Sequence, residues 1–218
     1  MSRVLLVRHG QASFGAEDYD NLSPLGQEQT RLLGAHLARR GVVITHLVSG
    51  AMRRHLQSAE QILSGGGWDV EIHSDEGWNE FDHRQVLLSH GAPSDEGSVA
   101  DRTTFQRWFE DATAAWIRGD ADAAGHETFA EFTRRVEGAF THLLGSLPAD
   151  ATALVSTSGG PVAWIAAHLL GGGADLWQRL NPTTVNSSHA TVVVGSRGTT
   201  LVSLNEHGHL DVGRISYR

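Results

Sequence analysis

The chain has 218 residues, 40% of them hydrophobic, which suits one globular domain with a sizeable core and argues against wholesale disorder. It has no cysteine, and its 17 basic residues are all arginine. That excludes disulfides, thiolate nucleophiles, cysteine zinc sites, phosphate-loop lysines and lysine Schiff bases together. The net charge of −8, with no basic run, disfavours nucleic acid but leaves room for a small anion in an arginine pocket.

Residues 3–7 (Arg-Val-Leu-Leu-Val) form a short apolar run that predicts a buried strand, with Arg8-His9-Gly10 at its C-terminal end, where open α/β sheets bind ligands. Ser23-Pro24 reads as an N-cap and first helical position, and the helix it opens runs to Gly41. Residues 42–49 predict a second strand and 52–63 a second helix. Gly65-Gly66-Gly67 then breaks the chain before an edge strand over 69–73. Residues 77–150 differ in character and predict a helical insertion that walls the site. One helical face carries Phe105, Trp108, Phe109, Ala112, Ala115 and Trp116, and another Phe129, Phe132, Val136, Phe140, Leu143 and Leu144, with a polar gap over 119–125. Residues 151–156 predict a buried strand, 161–170 a helix, and 191–195 with 199–204 a hairpin around Ser196-Arg197-Gly198. The sum is an α/β three-layer sandwich, a single domain with a mainly parallel sheet and an antiparallel C-terminal edge. No apolar run is long enough to span a membrane, and residues 4–7 are too short for a signal-peptide core, so a soluble, cytoplasmic protein is expected.

Three segments carry chemistry: Leu6-Val-Arg-His-Gly-Gln11, Leu22-Ser-Pro-Leu-Gly26 and Ser49-Gly-Ala-Met-Arg-Arg-His-Leu-Gln-Ser-Ala59. In this order and spacing the sequence resembles the histidine phosphatase superfamily, the phosphoglycerate-mutase-like proteins. The resemblance is strong over residues 4–60 and looser beyond, and it implies the phosphoglycerate-mutase-like fold. It also implies that His9 is the histidine phosphorylated during turnover. Arg8 and Arg54 would hold phosphate oxygens, with Gln57 three residues beyond Arg54 and Arg53 pointing outward. Glu80, in Trp78-Asn-Glu-Phe-Asp82, would be the general acid, and Asn186 a further residue near the site. Gln11 and Gly159 complete the expected phosphate-binding set. Such a site needs no cofactor or metal, because a neutral imidazole is a competent nucleophile and two arginine forks can neutralise the phosphoryl oxygens. The expected partner is a small phosphorylated substrate or inorganic phosphate, with a homodimer allowed.

The chain departs from the family at the later turn. Where the family has Ser-His-Gly-Gly, this sequence reads Thr157-Ser158-Gly159-Gly160, so Ser158 stands in the place of a second histidine. Ser158 can still donate to phosphate, and His55, His83 and His189 are candidates to fill the gap. The favoured reading is a phosphatase acting through a phosphohistidine. The residues Gln11-Ala-Ser-Phe-Gly15 lack the pattern of cofactor-dependent mutases, although mutase-type phosphotransfer stays open. A poorly active phospho-ligand-binding protein is a second alternative. A third is a serine esterase in which Ser158 acts with Asp175 and His189, since Ser156-x-Ser-x-Gly160 loosely matches a nucleophile elbow. His207-Gly-His209 reads as part of a solvated terminus, and Asp120-x-Asp122 as loop solvation.

Overall fold

In a computed structural model, residues 1–13, 20–91, 102–120 and 126–217 are described; the side chains of 102, 103, 105 and 106 lie outside that description, as do Phe14, Gly15 and Asp122. The chain divides into two compact units, one made of Met1–Glu80 with Val136–Arg218 and the other of Phe81–Arg135.

The first unit is built on a six-stranded sheet. In chain order its elements are β1 (Ser2–Arg8), α1 (Pro24–Arg39), β2 (His46–Ser49), α2 (Arg53–Gly66), β3 (Ile72–Ser74), β4 (Thr152–Thr157), α6 (Gly159–Leu169), α7 (Gly173–Leu180), β5 (His189–Gly195) and β6 (Gly198–Glu206). The strand order is β3-β2-β4-β1-β5-β6. The pairs from β3 to β1 are parallel, and β5 and β6 close the sheet as an antiparallel hairpin, as the sequence predicts. Strand alternation divides β1 between two buried faces. Leu5 and Val7 join Leu33 and Leu37 of α1, Leu47 of β2, Ala59 and Ile62 of α2 and Leu154 of β4 in one core. Val4 and Leu6 point the other way and are equally buried, and α6 packs against β1 and β6.

Local chemistry explains the boundaries. Ser23 caps α1 by accepting from the Gly26 amide at 3.0 Å, with Pro24 at the first position. Past α1, Gly41 takes φ +73° and the Val42 amide turns back to the Leu37 carbonyl. The β-branched residues 42–45 are therefore spent on the helix exit, and β2 starts only at His46. Gly65 and Gly66 do not break α2. A Cβ on Gly65 would collide with the Arg31 carbonyl, and one on Gly34 with the Ile62 carbonyl, so these glycines let α1 and α2 touch backbone to backbone. The left-handed residue that ends α2 is Gly67, at φ +68°.

The second unit holds α3 (His83–Ser89), α4 (Arg102–Arg118) and the first turns of α5 (Phe129–Ser146). Its core is aromatic: Phe81 stacks on Trp116 with centroids 4.7 Å apart, and Phe129 and Phe132 meet Trp116 at 5.1 and 5.8 Å. Ala112 and Ala115 join the predicted buried face of α4, but Trp108 is 37% exposed and does not. Helix α5 opens with a reciprocal cap. The Glu131 amide donates to Thr128 Oγ1 at 3.2 Å, and the Thr128 amide to Glu131 Oε2 at 2.8 Å.

Candidate active site

The site lies where β1 and β4 end together. Their parallel register pairs Arg8 with Thr157, which sets His9 and Ser158 side by side just past the strands. The backbone of His9 is held on both sides. Its amide donates to the Thr157 carbonyl at 2.7 Å, and its carbonyl accepts from the Ser187 amide at 3.0 Å and from Asn186 Nδ2 at 3.3 Å.

The ring of His9 is buried, with Nδ1 2.6 Å from the Gly10 carbonyl oxygen. A carbonyl can only accept, so the proton is on Nδ1 and the lone pair on Nε2. Burial, then Arg54, Arg8 and His55, hold the imidazole pKa well below its ordinary value, against a smaller upward push from the Gly10 bond. His9 is therefore neutral near pH 7, as a nitrogen nucleophile must be.

Both arginines stand around it. Arg8 donates from Nη1 to the Thr184 carbonyl and from Nη2 to the Tyr217 carbonyl, the latter at 3.0 Å. Arg54, buried in the first turn of α2, pairs with Asp20 at 2.6 Å, while its neighbour Arg53 is exposed, as expected. Gln57 accepts from the Leu22 amide at 2.8 Å and ties the segment carrying Asp20 to α2. Gln11 accepts from the Ser23 hydroxyl at 2.9 Å, which commits its side-chain oxygen to the start of α1. Asn186 acts on the His9 backbone, held in turn by the Ser216 hydroxyl at 3.0 Å.

Glu80 reaches the same place from the segment after β3. Thr157 Oγ1 donates to the Trp78 carbonyl at 2.5 Å, the Ala51 amide donates to Asn79 Oδ1 at 2.7 Å, and the Gly160 amide donates to Glu80 Oε2 at 3.0 Å. A Cβ on Gly160 would collide with the Glu80 carboxylate, and one on Gly159 would crowd Asn181 and Arg8. The glycine pair thus gives the carboxylate and the arginine room at the start of α6.

Ser158 is fully buried at the N-cap of α6, yet its hydroxyl does not cap the helix. It lies 2.7 Å from Nε2 of His55, a fully buried residue of α2 whose ring centroid is 5.7 Å from that of His9. Of the histidines named to fill the gap, His55 is the one brought to the site. His83 belongs to α3 in the other unit. His189 sits on β5, with Nε2 3.6 Å from Glu206. The esterase reading loses its footing here: the imidazole on Ser158 is His55, and Ser158 has an extended backbone at φ −112° and ψ 175°, without the strain of a nucleophile elbow.

Two parts of the site go beyond the sequence reading, which placed only Asn186 of the first near the site and took the second as solvated. One is the run Thr184 to Ser188, whose polar members are all buried and whose carbonyls and amides grip Arg8 and His9. Its signal is a cluster of small polar residues, interrupted by Val185, before a strand. The other is the C-terminal tail, whose side chains such as Val212 and Tyr217 are exposed but whose backbone is docked. The Ser216 carbonyl accepts from the Asn186 amide at 2.8 Å, Gln29 Nε2 donates to the Arg214 carbonyl at 2.7 Å, and Tyr217 holds Arg8.

Among the described residues, no helix is long and apolar enough to cross a membrane.

The structure is thus a mixed α/β sheet with Arg8, His9 and Arg54 together past the ends of its parallel strands. Residues 4–207 match the model of the histidine phosphatase superfamily (branch 1), and the chain belongs to that family. It is 25% identical over 219 residues to the mitochondrial serine/threonine-protein phosphatase Pgam5 of Caenorhabditis briggsae, covering 98% of this chain but only 66% of that longer protein. Among solved structures it is similar to Bacillus stearothermophilus YhfR, at TM-score 0.72 and 20% identity over 96% of this chain and 99% of the other. It also resembles the phosphoglycerate mutase of Bacillus anthracis, at TM-score 0.68 and 14% identity over 95% and 94%. These likenesses share the fold.

Proposed function

We propose that the protein is a phosphatase that hydrolyses small phosphate monoesters through a phosphohistidine at His9. The observation that carries this reading is the tautomer. With Nδ1–H donated to the Gly10 carbonyl, Nε2 holds its lone pair in a pocket bordered by two arginines. In the first step Nε2 attacks phosphorus and the ester P–O bond breaks, the leaving alkoxide taking a proton from Glu80. In the second, water attacks the phosphohistidine, gives its proton to the same carboxylate, and inorganic phosphate leaves. Arg8 and Arg54 stabilise the equatorial oxygens, so the scheme needs no divalent ion.

Rapid acid quench with a phosphoryl-labelled aryl phosphate tests the scheme. The expected result is a label on the protein that is lost in acid, survives base, and is missing from His9→Ala. Acid-stable label, or label that persists on His9→Ala, overturns it. Activity should also survive exhaustive EDTA treatment.

A further inference from the structure

The pairing of Ser158 with His55 bears on how the phosphoryl group is held, and rests on the phosphoryl-transfer reading above. A serine hydroxyl has one hydrogen to give. If His55 Nε2 accepts that hydrogen, Ser158 can offer a bound anion only lone pairs. If Nε2 carries its own hydrogen and donates to Oγ, the hydroxyl hydrogen is left for the anion. The tautomer of His55 therefore decides whether Ser158 attracts or repels phosphate.

The surroundings of the other ring nitrogen settle which tautomer is favoured. Nδ1 of His55 is buried and, among the described residues, has no hydrogen-bond partner. It rests against Gly50, where a Cβ would collide with it. A proton on Nδ1 would be a buried donor with nothing to receive it, whereas a bare lone pair there is the milder omission. The proton therefore belongs on Nε2, aimed at Ser158. Burial, with Arg54 adding to it, keeps the ring neutral, so one proton is shared between two nitrogens.

From the shared burial, the 2.7 Å contact and the orphan Nδ1, we infer that His55 and Ser158 form a two-residue phosphoryl donor: His55 Nε2–H fixes Oγ, and the Ser158 O–H points to a phosphoryl oxygen at His9. Ser158 is the contacting group, and His55 is a positioning residue that acts through it. The donor is neutral, so it brings no second charge beside His9.

The test is a double-mutant cycle read by the dissociation constant of inorganic phosphate and by kcat/KM on p-nitrophenyl phosphate. Ser158→Ala and His55→Phe should each weaken phosphate binding about tenfold, the worth of one hydrogen bond to a charged acceptor. The double variant should be no weaker than either single, because both remove the same contact. His55→Gln keeps an N–H donor and should recover most of the binding. Nitrogen-15 spectra of histidine-labelled protein should show Nε2 protonated and Nδ1 bare at His55. Losses that multiply in the double variant, unchanged binding in His55→Phe, or a proton on Nδ1 would each overturn the inference. Should His55→Phe not fold, the wild-type spectrum decides by itself. Phosphate affinity does not depend on a covalent intermediate, so acid-quench failure in the wild type would sink the phosphohistidine reading without touching this result.

Discussion

The first unit holds two groups of histidines, and the proposed reaction centre is one of them. His9 and His55 lie past the parallel strands. His36, His189, His207 and His209 gather at the antiparallel edge with Glu206. Burial depresses the key imidazoles in both: His9 and His55 at the first, and His189 and His209 at the second, His209 down to about 3. Desolvation and a lowered pKa therefore do not mark the active histidine. What His9 combines is an Nδ1 committed to the Gly10 carbonyl, a backbone held on both sides, and Arg8 and Arg54 beside its ring; the first alone is not distinctive, since His207 Nδ1 also lies 2.6 Å from the Asn205 carbonyl. At the second group the Nδ1 atoms of both His189 and His209 lack partners among the described residues, and no set of three His, Asp or Glu residues there could hold a metal ion.

The sharpest way to break this comparison is to remove one histidine from each group. His9→Ala should lower kcat/KM on p-nitrophenyl phosphate by more than about 1,000-fold with the circular dichroism spectrum intact. His189→Ala should retain activity within about threefold and instead lower the melting temperature. Equal losses would mean that the surroundings of His9 do not define the centre. Next in size is Glu80→Gln, which should cost about 100-fold or more on an alkyl phosphate and much less on p-nitrophenyl phosphate, whose leaving group needs no proton. The same loss in kcat/KM on both would remove Glu80 from protonating the leaving group.

A third experiment tests whether space or chemistry governs the second position of the site. Ser158→His alone would press an imidazole onto buried His55, an overpacking that costs about 1–3 kcal/mol, and kcat/KM should fall about tenfold. Adding His55→Ser clears that space and should recover most of the loss. Failure of the double variant to recover would show that His55 is needed where it is.

Much of the site was legible because its parts lie in short segments with strong local punctuation. Arg8-His9-Gly10 ends an apolar strand, Ser23-Pro24 opens a helix, and Arg54 sits in the first turn of another. The role of His55 was not legible, because its partner Ser158 is 103 residues away and only the register of β1, β2 and β4 joins them. The short helices α3 and α7 escaped for a different reason: at seven and eight residues they show too few turns for periodicity to register. The docked tail was missed because its anchors are backbone carbonyls, which every residue carries.

The smallest expected effect concerns acid stability. His9, His55 and His209 have folded pKa values below the ordinary 6.5, so between those values and pH 6.5 the unfolded chain binds more protons than the native one. Stability is full above about pH 6.5 and is lost as pH falls below it, at up to about 1.4 kcal/mol per pH unit for each such group. His209→Gln should flatten the fall in melting temperature between pH 7 and 5 while leaving kcat at pH 7 within about twofold. An unchanged slope would place the acid sensitivity on the other depressed imidazoles, His9, His55, His36 and His189.

The loop that carries His9 is fastened to α1 by a meeting of two glycines. A Cβ on Gly10 would strike the Gly26 carbonyl, and one on Gly26 the Gln11 carbonyl. Around this contact the amides of His9, Gly10, Gln11 and Ser23 donate to Thr157, Ser58, Gln29 and Gln11, at 2.7, 3.1, 2.9 and 2.9 Å. In hydrogen–deuterium exchange these four amides should therefore not open as a loop does, one local fluctuation at a time. Those of Gln11 and Ser23 are released when the start of α1 parts from the end of β1, so their deuterium uptake should keep time with that of α1, while those of His9 and Gly10 are held by the end of β4 and by α2.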